Sequence, residues 1–189
     1  QKAEQIKHKN CGKIICFAIG RHVPYKGMEY LIRASKLLSG DFKIIIGGGG
    51  PLTESLKSLS EGDEKVEFIG KVDNSALRAY MLACDIFCFP SITKNEAFGI
   101  ALAEAMSYSK PSVTFTIEGS GVNYVSVGGE TGIEVENCNV EKYARAIEML
   151  ASDSVLRDNY GAEAKKRVEL LFTDKKFKNN IKNLINGIL

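Results

Sequence analysis

KIICFAIGRHVPYKGMEYLIRASKLL, Lys13 to Leu38, changes its hydrophobic period halfway along. Lys13–Ile19 is a short continuous apolar run with branched and aromatic side chains, the pattern of a strand buried on both faces. Glycine, proline and two cations follow. From Met28 to Leu38, Leu31, Ala34, Leu37 and Leu38 then fall on one helical stripe. Strand, loop and helix in this order form one βα unit, and a chain that repeats it builds a parallel sheet.

The unit does repeat. The spacing predicts strands at Lys13–Ile19, Phe42–Ile46, Val66–Ile69, Ile86–Phe89, Pro111–Phe115 and Gly132–Val135. Between them it predicts helices at Met28–Leu38, Leu52–Leu59, Ser75–Cys84, Gly99–Ser107 and Glu141–Ala151, with Asp73 as N-cap of the third. The expected fold class is α/β: a Rossmann-like parallel sheet of about six strands with helices on both faces. After Asp153 the strands stop and two further helical patterns follow, Val155–Leu171 and Asp174–Ile188. With 189 residues, 44% of them apolar, the chain has the core for one such domain. Residues 1–12 read as a polar linker, 13–173 as the domain, and 174–189 as a helix reaching out of it.

Composition excludes some functions. Lys plus Arg number 25 against 23 Asp plus Glu, and a net charge of +2 argues against nucleic acid as partner. No stretch approaches the roughly 18 apolar residues of a spanning helix, so a soluble, cytoplasmic chain is expected. Five cysteines, an odd number, several of them inside strand-like runs, read as reduced buried thiols. Cys84 and Cys88 are close, but two histidines in the chain, His8 and His22, leave too few partners for zinc, and no metal site is expected.

Open parallel sheets bind ligands beyond the carboxyl ends of their strands, so the loops there hold the candidate residues. Gly20 to Gly27 carries Arg21, a fork for phosphate oxygens, and Lys26, a point charge, just before a helix start; this suits a diphosphate. The alternative is a pair of solvated surface charges. Gly47-Gly48-Gly49-Gly50 allows close backbone approach to a ligand, but Thr53 stands where a dinucleotide fingerprint needs its third glycine, so that template fails.

NEAFGIALAEAM, Asn95 to Met106, is the most informative segment. Gly99 opens a helix whose first residues are apolar and predicted to be buried, which would leave Glu104 a carboxylate in need of a hydrogen-bonding ligand such as a vicinal diol. Glu96 lies seven intervening residues earlier, and at most about 12 Å of helix rise separates the two, so they could grip opposite ends of one ligand. The alternative is a dipole-favoured charge at Glu96 and an ion pair at Glu104. The backbone of Lys71 and Val72 is a candidate contact for a base edge. Glu118 to Tyr124 could line or cover a pocket, with no individual role assigned. Asp85 reads as a strand-orienting residue.

Taken together the segments resemble the C-terminal, donor-binding domain of family 4 retaining glycosyltransferases, one half of a GT-B fold. The anchors are GRHVPYKGMEYLIRA (Gly20–Ala34), IIIGGGGP (Ile44–Pro51), VEFIGKV (Val66–Val72), ACDIFCFPS (Ala83–Ser91), EAFGIALAEAM (Glu96–Met106) and GGETGIEV (Gly128–Val135). The resemblance implies a nucleotide-diphosphate sugar as substrate, a UDP- or GDP-sugar, with no metal or other cofactor. It implies catalytic roles for Arg21, Lys26 and Glu96. Gly20, Gly49, Gly50, Val72, the backbone of Ala97, Phe98 and Gly99, and Glu104 would bind the donor, Glu104 at the ribose hydroxyls and Val72 at the base. The loop Glu118 to Tyr124 departs from the family's glycine pair followed by proline and an acidic residue. The family's N-terminal domain, which supplies the acceptor site, has no counterpart here, so the fragment alone is expected to be inactive. A glycan or lipid-linked acceptor, surface polysaccharide synthesis, and peripheral membrane association of the full-length protein are further implications. The competing readings are a non-catalytic nucleotide-binding module and another GT-B-like enzyme, such as a nucleotide-sugar epimerase or a glycogen-synthase-like transferase.

Overall fold

The computed structural model describes residues 1–173 and residue 176. The helix expected at Asp174–Ile188 lies outside the described residues. Six strands, β1 (Ile14–Arg21), β2 (Phe42–Gly49), β3 (Val66–Gly70), β4 (Ile86–Phe89), β5 (Ser112–Phe115) and β6 (Gly132–Val135), form one parallel sheet in the order β3-β2-β1-β4-β5-β6. Among the described residues eight α-helices accompany them: α1 (Lys2–Lys9), α2 (Met28–Ser35), α3 (Thr53–Leu59), α4 (Asn74–Ala83), α5 (Ile100–Ser107), α6 (Val122–Val125), α7 (Val140–Ser152) and α8 (Ser154–Leu171).

This order makes the chain step outward from β1 in one direction through β2 and β3, then cross back to β4 and step outward in the other. Right-handed crossovers therefore put α2 and α3 on one face and the helices that follow β3 and β4 on the opposite face. The packing agrees: α2 lies against α3 and α7, α4 against α1, and α5 against α8. The centre of the sheet is closed to solvent, with Cys16, Phe17 and Ala18 of β1, Ile44 and Ile46 of β2 and Ile86 and Phe87 of β4 fully buried. Tyr143 of α7 is buried too, and its hydroxyl donates to the Val113 carbonyl at 2.9 Å.

Several expectations need adjustment. Residues 2–9 are helical, although no side chain of α1 is buried; Lys9 pairs with Glu67 at 2.8 Å and Lys2 donates to Ser75. Strands β1 and β2 run two and three residues beyond their apolar cores, because the ladder continues through Gly20 with Gly48 and Arg21 with Gly49. Helix α2 stops at Ser35 and leaves Leu37 half exposed. Cys16, Cys84 and Cys88 are buried as expected, burial pushing the Cys84 thiol up to about 12, but Cys11 and Cys138 are exposed. Asp73 caps α4 by accepting from Ala76 N–H at 2.7 Å, and Asp85 accepts from Ile15 N–H at 2.8 Å, tying the start of β4 to β1. Among the described residues no helix is long and apolar enough to cross a membrane.

Candidate functional site

The chain reverses its stepping direction between β1 and β4, and a sheet of this kind opens a crevice above such a switch point, where loops from the two strands diverge. Lys26 comes from the loop after β1 and Glu96 from the loop after β4, and the two form an ion pair there. The pairing is enforced from below. The Ile92 N–H donates to the Tyr25 carbonyl at 2.9 Å, and Gly27, at φ +59°, packs so closely that a Cβ would collide with the Pro90 carbonyl. Lys26 Nζ also lies 5.5 Å from the Tyr25 ring centroid and 5.4 Å from that of Phe89, where aromatic faces favour a cation. Gly20 supports its stem, with Cδ and Cε of Lys26 3.5 Å from where a Cβ would stand.

Glu96 is only 8% exposed and well satisfied. Its Oε2 accepts from the buried Ser91 hydroxyl at 3.0 Å as well as from Lys26, and its own carbonyl accepts from Ser120. Ser120 belongs to the segment after β5 that sequence reasoning left without a role. Gly121 beside it donates to the Ala97 carbonyl at 2.9 Å and fits only without a side chain, since a Cβ would strike that carbonyl. Hydrogen bonds from Ser120 and Gly121 to backbone carbonyls 24 residues earlier leave no signal in sequence spacing, and Ser91 reads from sequence only as part of the strand end.

Just after Glu96 the backbone N–H groups are free. Among the described residues the N–H groups of Ala97, Phe98 and Gly99 donate to no carbonyl, and Gly99, at φ +87°, turns them into the N-terminus of α5. A run of free N–H groups at a helix start is an anion site by construction. Phe98 is partly exposed and packs edge-on against Phe172 at 5.3 Å between centroids. Arg21 ends β1 with an exposed side chain, and its ladder partner is Gly49. Gly50 follows, its approach to the His22 carbonyl so close that a Cβ would sit at 2.6 Å.

Glu104 is placed differently from the expectation. Helix α5 buries Leu102, Ala105 and Met106, whereas Ile100 is 71% exposed and Glu104 is exposed too. Of the apolar run at its start only Ile100 faces solvent, and Glu104, one turn further on, falls on the same open side, while Leu102 is buried and Ala101 and Ala103 pack partly against the core. Glu104 instead lines a groove of about 240 Å³ with Asn74, Leu77, Arg78, Met81 and Tyr108, and among the described residues it makes no ion pair. Val72 lies just before α4 and is half-buried, and its N–H and C=O enter no hydrogen bond among the described residues.

The family model of glycosyl transferases group 1 matches residues 1–167 of the chain. The chain belongs to the group 1 glycosyltransferases. Among curated relatives of this group 1 chain, the D-rhamnosyltransferase WbpZ of Pseudomonas aeruginosa is 33% identical over 151 residues, 79% of this chain and 39% of that protein. The phosphatidyl-myo-inositol mannosyltransferase of Mycobacterium leprae is 35% identical over 169 residues, 84% of this chain and 43% of that protein. The chain thus spans about two fifths of the length of these relatives. In fold it superposes on the Anabaena protein HepE, solved with UDP and glucose, at a TM-score of 0.85 with 18% identity, covering 98% of this chain and 52% of that one. The group 1 chain is the Rossmann-like half of a GT-B fold.

Proposed function

We propose that this chain is the donor-binding half of a retaining hexosyltransferase that uses a UDP- or GDP-sugar. The observation that carries the reading is the meeting of Lys26 and Glu96 over the switch point, followed in the chain by the free N–H groups of Ala97, Phe98 and Gly99. Without a ligand the cation and the carboxylate satisfy each other. An incoming diphosphate competes for Lys26, and the same N–H groups and the positive end of α5 receive its oxygens. Arg21, at the rim, adds a bidentate fork.

Charge develops on the diphosphate as the glycosidic bond breaks, and fixed donors aimed at it lower the barrier more than any proton transfer these residues offer. The reading needs no metal, because Lys26 and Arg21 supply the countercharge. Glu96, released from Lys26, accepts hydrogen bonds from hydroxyls of the transferred sugar. Glu104 accepts from the ribose hydroxyls, with Val72 backbone at the base and Gly20, Gly49 and Gly50 admitting the phosphates. The acceptor, a glycan or a lipid-linked precursor of a surface polysaccharide, meets the sugar from the other half of the protein, on the cytoplasmic side of a membrane to which the full-length protein attaches peripherally. The rhamnosyl- and mannosyltransferase relatives support a hexosyl donor.

Calorimetric titration of UDP and GDP into the chain tests this. One of them is expected to bind, and Lys26→Ala is expected to weaken it by about 1–3 kcal/mol, the worth of a charged hydrogen bond. Equal affinity in wild type and Lys26→Ala, with both folded, would remove the diphosphate from this loop.

A further inference from the structure

His22 follows Arg21 directly but points the other way, and its side chain is 1% exposed. Its backbone splices two loops. The His22 N–H donates to the Gly49 carbonyl at 3.1 Å and its C=O accepts from Leu52 N–H at 3.1 Å, so the glycine loop after β2 is fastened to the exit of β1 on both sides of Gly50. The ring completes the fastening: Nδ1 lies 2.9 Å from Thr53 Oγ1.

Thr53 has one hydroxyl proton to give. Its Oγ1 is 2.8 Å from the Gly50 carbonyl, which can only accept, and 2.9 Å from the Gly50 N–H, which can only donate. With the hydroxyl proton on that carbonyl, which the Thr53 N–H also reaches at 3.1 Å, Oγ1 has one lone pair left for His22, and the tautomer with the hydrogen on Nδ1 completes the pattern. A neutral ring in that tautomer leaves Nε2 a bare acceptor, and Nε2 is buried with no partner among the described residues. The neighbours of the ring are the edge-on Phe68 of β3 at 5.9 Å, the Gly47 carbonyl of β2, and, as the charged group, Lys57 of α3. Burial holds the imidazole below its ordinary value, opposed by the Gly47 carbonyl and aided by Lys57, so the ring is neutral at physiological pH. A leucine would fill such an apolar site without orphaning an acceptor. What histidine adds is the Nδ1–H.

We infer that His22 is a positioning residue for the donor diphosphate: its Nδ1–H locks Thr53 and, through it, both backbone groups of Gly50, fixing the glycine loop where phosphate passes. The inference rests on the donor-domain reading above. It acts on the phosphates and leaves the ribose and base contacts alone, and that separates it from a general structural role.

The test combines binding and spectroscopy. In wild type, nitrogen chemical shifts of the His22 ring are expected to report the Nδ1–H tautomer. His22→Leu is expected to bind UDP or GDP about tenfold more weakly, the loss of one hydrogen bond's worth of positioning, while uridine or guanosine, followed by chemical shift, binds as to wild type. His22→Asn, whose amide can donate from the Nδ1 position, is expected to restore most of the diphosphate affinity. An Nε2–H tautomer overturns the inference even if the leucine variant does not fold. So does a parallel loss of nucleoside and diphosphate binding, or no loss of either. If wild type binds no nucleotide, the donor-domain reading fails and this assignment fails with it; if wild type binds and only the variants misbehave, the donor-domain reading stands.

Discussion

The two ends of the candidate donor site are built on different terms. At the Lys26 end the side chains are paired, half to nearly fully buried, and held by loops from three strand exits, β1, β4 and β5. At the Glu104 end the carboxylate is exposed and unpaired among the described residues, on a groove between two helices. One end carries its electrostatic partners among the described residues; at the other, the proposed reading has the ribose hydroxyls supply them. Where charge must be stabilised during reaction, preorganised groups are worth most, whereas a contact that only adds affinity can be made from solvent. On the proposed reading, the asymmetry divides chemistry from recognition.

Removing a carboxylate from each end is the strongest way to break that comparison. Glu96→Ala leaves the Lys26 ammonium, whose side chain is 15% exposed, without its partner, and is expected to lower the unfolding free energy by about 3 kcal/mol. Glu104→Ala is expected to leave stability within about 0.5 kcal/mol while weakening nucleotide binding. Urea denaturation of both variants checks the pair of values, and equal losses would erase the distinction. Gly121→Ala should come next, at about 1–3 kcal/mol, since its Cβ must displace the Ala97 carbonyl. Asp73→Ala, at the far end, removes a cap and should cost about 1 kcal/mol, read as a lower thermal midpoint with the Lys26 region unchanged.

The same contrast runs through what the sequence reveals. Periodicity places the six strands, with Ile86–Phe89 and Gly132–Val135 matching to the residue; the first is central and continuously apolar, as a strand buried on both faces must be, and the second is a half-buried edge strand. It does not show that Gly47–Gly49 belong to a strand, since ladder hydrogen bonds need no side chain. Helix α1 has no fully buried side chain, only Ile6 packed partly against the core, and hence no apolar stripe to read. At the site, Lys26 and Glu96 are legible as charged residues on loops after strands, but their contact depends on which strands are neighbours, and that is settled by topology. The exposure of Glu104 is not legible for a reason internal to α5: four apolar residues in a row do not define a face, and Glu104 lies on the side of Ile100, away from buried Leu102. Ser120 and His22 are small or ordinary residues whose contacts at the site are with partners distant in sequence, and Ser91 meets Glu96 only through the turn of the loop between them.

The smallest effect, and the one that isolates a single proton, is the pH dependence beneath the Lys26 end. Burial lowers the His22 pKa from 6.5, so the unfolded chain takes up a proton at a higher pH than the folded chain. Where the unfolded state binds more protons, stability falls as pH falls. His22 thus contributes stability that is fully present above about pH 6.5, declines as acid approaches the lower folded value, and is constant below it. His22→Asn has no such titration. The difference in unfolding free energy between wild type and His22→Asn, measured by urea denaturation at pH 7.5, 6.0 and 5.0, is expected to shift against wild type with each acid step. The comparison cancels carboxylates that titrate in both proteins. A constant difference across the series would mean that the ring titrates alike in the folded and unfolded chain, solvated in both, and the glycine loop would then have to be held by backbone contacts alone.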